Sequence, residues 1–285
     1  MTPALAPTAA PAGTTTVSPR RVDGPGLSFP RVVRSEWIKL RTLRSTWITL
    51  GAAVLVLIVA AALIANHLHG DLVDPRPGRG GDPGDRDVLT APLRGFGVTQ
   101  LVIGVLGVLA VSGEYATGMI RASLTAVPKR LPVLGAKLVV FGALAFVSML
   151  VAAFAAFLVA QAVLGSYGTG LSAPHAVRVL VALAGYLTLV GLLGLGIGFI
   201  VRSTAGSIAT LVGILLVAPG ILAALGTSWA TTASHYLPLD AGQAMFADRP
   251  GDPGTLSPGG GTLAMLVWVT VSIVAAAALL TTRDA

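Results

Sequence analysis

The sequence predicts an all-α integral membrane protein with about six transmembrane helices. Three observations carry this reading. Of 285 residues, 54% are hydrophobic and only 11% are charged, whereas a water-facing surface draws on about 25% charged residues. Uncharged apolar stretches recur along the chain, each close to the roughly 20 residues that a helix needs to cross about 30 Å of hydrocarbon. These stretches are apolar on every side, while the helices of a soluble bundle would show polar faces at a period of about 3.6 residues.

Residues 1–30 are Pro-, Ala-, Thr- and Gly-rich. They carry too little apolar surface to offset the entropy of ordering, and read as a disordered cytoplasmic tail. No apolar run of signal-peptide type appears before residue 45, so a cleaved leader is not expected. The transmembrane part then runs from 31 to 285. The first span is expected at about 46–66, between Arg44 and His67, and the second at about 95–112, between Arg94 and Glu114. The chain stays uncharged from Lys137 to Arg178, too long for one helix, and Gly165-Ser-Tyr-Gly-Thr-Gly170 divides it. The third span is therefore about 138–163. Arg178 and Arg202 bracket the fourth, 179–201. The fifth covers 207–225, with Pro219-Gly220 as an expected kink, and the sixth covers 261–282.

Loop charges give the orientation. With the N-terminus inside, 13 Lys and Arg fall on cytoplasmic segments and 6 on external ones. That excess sets topology, and six spans return the C-terminus to the cytoplasm. The formal charge of +7 thus reads as membrane orientation rather than as a nucleic-acid surface. Arg outnumbers Lys 16 to 3, a bias that resembles GC-rich bacterial coding and fits a bacterial plasma membrane.

Several chemistries find no support. The chain has no Cys, hence no disulfide, thiol nucleophile or thiolate-bound metal. No ionisable residue sits mid-span, which argues against a proton-coupled carrier. Gln161, near the end of the third span, reads as a hydrogen-bonding boundary residue. No Walker loop is present, because Gly135-Ala-Lys137 lacks the earlier glycine. Gly194 and Gly198, four apart within an apolar span, read as a helix-packing face rather than a nucleotide loop. His67 and His69 lie near Asp71 and Asp74, but no ligand set converges, and no metal site is assigned. No catalytic constellation can be placed on one element.

Two polar segments are more informative. Residues 34–47 precede the first span. At about 100° per residue, Val33, Trp37, Leu40, Leu43 and Trp47 share a sector. Arg34 and Lys39 lie outside that sector, and Glu36 and Arg44 intrude on it. With Arg41 adding to the basic side, this reads as an interfacial helix, its Trp residues at headgroup depth. The second segment joins spans two and three and runs from Ser112 to Arg130. It contains Glu114, Tyr115, Gly118, Met119 and Arg121, then Pro128, Lys129 and Arg130.

Ser35-Glu-Trp-Ile-Lys-Leu-Arg-Thr-Leu-Arg-Ser-Thr-Trp47, Ser112-Gly-Glu-Tyr-Ala-Thr-Gly-Met-Ile-Arg121 with Val127-Pro-Lys-Arg130 and Ala136-Lys137, and Tyr236-Leu-Pro-Leu-Asp-Ala-Gly-Gln243 together resemble the permease subunit of an ABC transporter of the ABC-2 type. Family members often have Gly-Thr where this chain has Gly118-Met119. The resemblance covers residues 31–285. It implies an exporter-like fold with an N-terminal elbow helix formed around Trp37, Lys39, Leu40, Arg41, Arg44 and Trp47. It also implies a coupling segment at Glu114, Tyr115, Gly118, Met119, Arg121, Pro128, Lys129 and Arg130 that docks on a separate ABC ATPase subunit. The permease itself then carries no cofactor and no hydrolytic site, and ATP and Mg belong to the partner. A second permease copy or a sister permease would complete the substrate path, and residues 226–260 would hold short helices closing it outside. The competing reading is a membrane protein without an ATPase, such as a channel or a structural partner in a membrane complex.

Overall fold

The computed structural model describes residues 28–74, 87–119, 130–248 and 255–282. Among them there are helices and turns and no strand. Six helices or helix series are long and apolar enough to cross a membrane, and each contains one of the six apolar runs. Residues 1–27, most of the expected tail, lie outside the described residues, as do Arg121, Pro128 and Lys129.

Helix α1, Phe29–Thr42, opens with Pro30, whose fixed φ suits a first turn. It ends with Lys39 and Arg41 in its last turn, where cations complement the helix dipole. Leu43 is extended, and the chain turns into α2, Arg44–Val73. Trp47 Nε1 donates to Arg41 O at 3.0 Å and so holds the end of α1 against α2. This helix and its turn into α2 stand where the resemblance implies an elbow. The sector of Val33, Trp37, Leu40, Leu43 and Trp47 is divided between the protein and the outside. The buried face of α1 is Val32, Glu36 and Leu40, while Trp37, Leu43 and Trp47 stay exposed. Glu36 does not intrude on an apolar face; it is the inward residue, because it has partners inside.

A 3₁₀ turn, Ala91–Gly95, leads into α3, Phe96–Ala116. Helix α4, Leu131–Leu164, starts on Pro132 and stops at Gly165, whose φ of 60° ends the helix. Helix α5, Ala176–Val201, is followed by α6, Thr204–Val212, which Ser203 caps through Gly206 N. A π turn, Gly213–Val217, connects α6 to α7, Ala218–Leu225. It sits directly before Pro219, whose ring and missing N–H are incompatible with a regular turn at this point, so the expected kink takes this form. Two short helices follow, α8 at Ser228–Ser234 and α9 at Pro238–Met245, and α10, Pro258–Thr282, completes the bundle.

Helix α5 is the centre of the fold. Lipid gives helices no hydrophobic reason to associate, so close packing depends on small residues that let backbones approach. A methyl group added to Gly194 would fall on Gly104 O, and one on Gly107 would fall on Gly191 O. Gly198 faces Val108 and Val111 at 3.2 Å from its would-be Cβ. Glycines on both α3 and α5 therefore make this contact; the sequence reading had only the α5 half of it.

The contacts separate two ends of the bundle. Residues of α1, the C-terminal end of α3, the start of α4, the end of α5 and the end of α10 meet at one end. At the other, Gln161 Nε2 donates to Val88 O at 3.0 Å and its Oε1 accepts from Thr169 N at 2.7 Å, the boundary role expected of it. There too Arg178 Nη2 donates to Ala247 O at 2.6 Å. The last described residues thus return to the end where α1 begins.

Candidate functional site: a buried charge cluster at the elbow

Four charged side chains from three elements converge at the elbow end. Lys137, in the second turn of α4, is 2% exposed. Its Nζ donates to Glu36 Oε2 at 2.8 Å, to Glu114 Oε1 at 2.8 Å and to Ala110 O at 3.3 Å, which uses its three protons. Lys39 Nζ donates to Glu36 Oε1 at 2.6 Å and to Glu114 Oε1 at 3.3 Å. Two carboxylates and two ammonium groups make the cluster neutral, which is the condition under which charges remain in a low-dielectric place.

The electrostatics of α1 follow from this geometry. Burial works against ionisation of Glu36, but the charges and hydrogen bonds of Lys137 and Lys39 outweigh it and hold the carboxyl below its ordinary value. Burial likewise disfavours the charged form of Lys39, and Glu36 and Glu114 overcome it, raising the ammonium above its ordinary value. Both groups of α1 are therefore fixed in their charged forms.

The residues flanking the α3–α4 connector are held on a second side. Tyr115 lies under Arg202, whose Cζ is 5.5 Å from the ring centroid, and its ring meets Phe199 edge-on. Arg202 itself adopts a left-handed conformation at the end of α5 and donates to Leu279 O at 3.0 Å. Arg130, at the other end of the connector, donates to Leu280 O at 2.9 Å. Two guanidinium groups thus bind the last carbonyls of α10, where the helix dipole is negative. Thr204 Oγ1 donates to Ser112 Oγ at 3.0 Å and ties α6 to the same place. Gly118 has φ 72°, a conformation that favours glycine, and turns the chain out of α3. Met119 beside it is half exposed.

The structure thus brings Glu114 together with Lys39 and Leu40, holds Tyr115 and Arg130 on the second side, and leaves Arg41, Arg44, Trp37 and Trp47 exposed on the elbow. Glu36 and Lys137 belong to the cluster, and sequence reading gave them other roles. Both stand in the motifs that carry the family resemblance, but Glu36 reads there as an irregularity on an amphipathic helix and Lys137 as the charge that ends the connector. The available signal was that an acid stood on a face otherwise apolar. A second polar feature also lay hidden within the spans: Tyr186 Oη donates to Gln100 Oε1, both side chains fully buried, with Phe96 and Phe246 packed around the Tyr186 ring.

No metal-binding group of three or more His, Asp or Glu occurs among the described residues. His67 Nδ1 instead lies 3.3 Å from Asp71 Oδ2, one turn on along α2.

No curated protein matches the chain closely enough to count as a relative. A family model described as "ABC-2 family transporter protein" matches residues 32–220. That match begins in α1, contains the whole charge cluster and ends in α7. Covering well over half of the sequence, it establishes that the chain belongs to the ABC-2 transporter family, as a multi-pass permease.

Proposed function

We propose that this permease is the membrane half of an ATP-driven exporter, and that the connector between α3 and α4 takes up motion from a separate ABC ATPase. The observation that carries the reading is the way the connector's flanks are bound. Glu114 and Lys137, on either side of it, share one ion cluster with α1. Arg130 and the Arg202–Tyr115 pair link the same flanks to α10. A displacement of the connector therefore pulls on α1, α3, α4 and α10 together rather than being absorbed in one loop. Closure of an ATPase dimer on ATP would shift these spans as a body and move the substrate path between inward and outward access. ATP and Mg would be held by the partner, with Arg121, Pro128 and Lys129 on the docking segment. A second permease, identical or sister, would supply the other wall of the path.

The excess of Lys and Arg on the segments at the elbow end supports a cytoplasmic location for that end. That is the side on which an ATPase operates. Affinity purification of the full chain from native membranes should retain an ATPase bearing Walker motifs. The cysteine-free sequence also permits single engineered thiols: S123C should react with an impermeant reagent only in inside-out vesicles. Labelling from outside the cell would overturn the proposal, since no ATPase could reach the connector there. In the reconstituted complex, E114A and R121A should each uncouple ATP hydrolysis from transport, and unchanged coupling with intact assembly would exclude this loop.

A further inference from the structure

A cavity of about 460 Å³ opens beside the charge cluster, between α1, α2 and α3. This is within the range of about 300–1,000 Å³ typical of clefts for small ligands. Leu40, Leu43, Leu106 and Leu109 supply apolar wall, and Glu36, Lys39, Glu114 and Lys137 form a charged base. Such a shape takes an amphiphile lengthwise, with its chain along the leucines and its head at the base.

The hydrogen bonds at the base decide what that head must be. Both oxygens of Glu36 are used, Oε1 by Lys39 and Oε2 by Lys137. The three protons of Lys137 are committed to Glu36, Glu114 and Ala110. Glu114 Oε1 accepts from both lysines, but Glu114 Oε2 is closed to water and has no hydrogen-bond partner. A carboxylate oxygen left in that state is costly, and a donor that reaches it relieves the cost. Glu114 lines the cavity, and the last torsion of a Glu side chain is soft, so the carboxylate can adjust to a donor that arrives there. An anionic head would meet two carboxylates, and both lysines of the base, Lys39 and Lys137, already donate to them. A protonated amine meets an acceptor in need of a donor, and its charge strengthens the bond.

We infer that this cavity is a binding site for single-chain or drug-sized amphiphiles carrying a protonated amine, with Glu114 receiving the head and Leu106 and Leu109 the chain. The inference rests on the cavity and its hydrogen bonds and does not require an ATPase.

Equilibrium binding of radiolabelled dodecylamine to the purified full chain in phosphatidylcholine nanodiscs tests it, with empty discs as background. Saturable binding is expected, with dodecylamine at least about tenfold tighter than dodecanol, a difference of about 1.4 kcal/mol, and dodecyl sulfate failing to compete. E114Q should lose at least about tenfold in affinity, by the same measure. Because E114Q also disturbs the ion cluster, L109W serves as the second variant. It fills the apolar wall, leaves every charge in place, and should abolish binding while the protein melts as the parent does. Equal affinity for dodecanol, or full binding by folded L109W, overturns the assignment. Discs doped with phosphatidylethanolamine separate two sources of the amine: competition identifies the bilayer lipid as an occupant, and its absence a free amphiphile. Failure of binding leaves the coupling proposal standing, while loss of ATPase capture with amine binding intact overturns only that proposal.

Discussion

Spans four and five are consecutive, joined only by Arg202 and Ser203, yet they occupy opposite environments. In the apolar stretch of α5, 72% of residues are buried inside the chain; across α6, the π turn and α7 the figure is 11%. Both are apolar enough to cross a bilayer, so hydropathy does not distinguish them. What does is where small residues stand. On α5 the glycines at 191, 194 and 198 meet the backbone or side chains of α3 and α4. Gly213 and Gly220, on span five, face open space. Burial in a membrane follows the opportunity for close backbone approach. Leu216, Val217, Ile221 and Leu225 are left exposed, a surface for lipid or, in the proposed assembly, for another permease.

The largest effect that would sharpen this contrast lies where the packed half ends in the charge cluster. K137M leaves two buried carboxylates facing one lysine, and should destabilise the chain by about 3–5 kcal/mol, read as a lowered thermal midpoint in micelles. A loss below about 1 kcal/mol would mean the cluster is solvated and its burial unimportant. Next comes G194A, which forces α5 off Gly104 and should cost about 1–3 kcal/mol by overpacking. The same measurement applies.

A third test is pH. The carboxyl of Glu36 is held below its ordinary 4.5, so its contribution is present above about that pH and is lost as pH falls through the lower folded value. The ammonium of Lys39 is held above its ordinary 10.5, so its contribution is present below about that pH and lost as pH rises through the higher folded value. The thermal midpoint should therefore owe no change to these two groups between about pH 5 and 10, and should drop outside that window. A slope inside that window would assign the dependence to groups other than these two. The smallest effect is G213A. With nothing near its would-be Cβ, it should be neutral or stabilising by up to about 1 kcal/mol through helix propensity. A large destabilisation there would break the comparison, by showing that span five is packed against something in the purified state.

The architecture was legible in the sequence because each span is a local property, about 20 apolar residues between charges. The elbow was legible in part, because the Trp residues and basic residues of 34–47 mark an interfacial helix and the family resemblance names it an elbow. The charge cluster was not, because its pairs are remote. Glu36 and Lys137 are 101 residues apart, and no periodicity within α1 or α4 announces that one will meet the other. Glu114 was singled out through a family pattern, without its partners. Gly104 and Gly107 escaped notice as small residues in an apolar run, since only their match to α5 gives them meaning. Gln100 escaped for the same reason, its value depending on Tyr186, 86 residues away.

The electroneutrality of the elbow has an electrical consequence. Moving a net charge through a membrane potential does work of about 2.3 kcal/mol per elementary charge per 100 mV. Glu36, Lys39, Glu114 and Lys137 carry two charges of each sign, so translated together they do no net work against the field. Motion of these four side chains therefore adds no voltage dependence of its own to the permease's cycle.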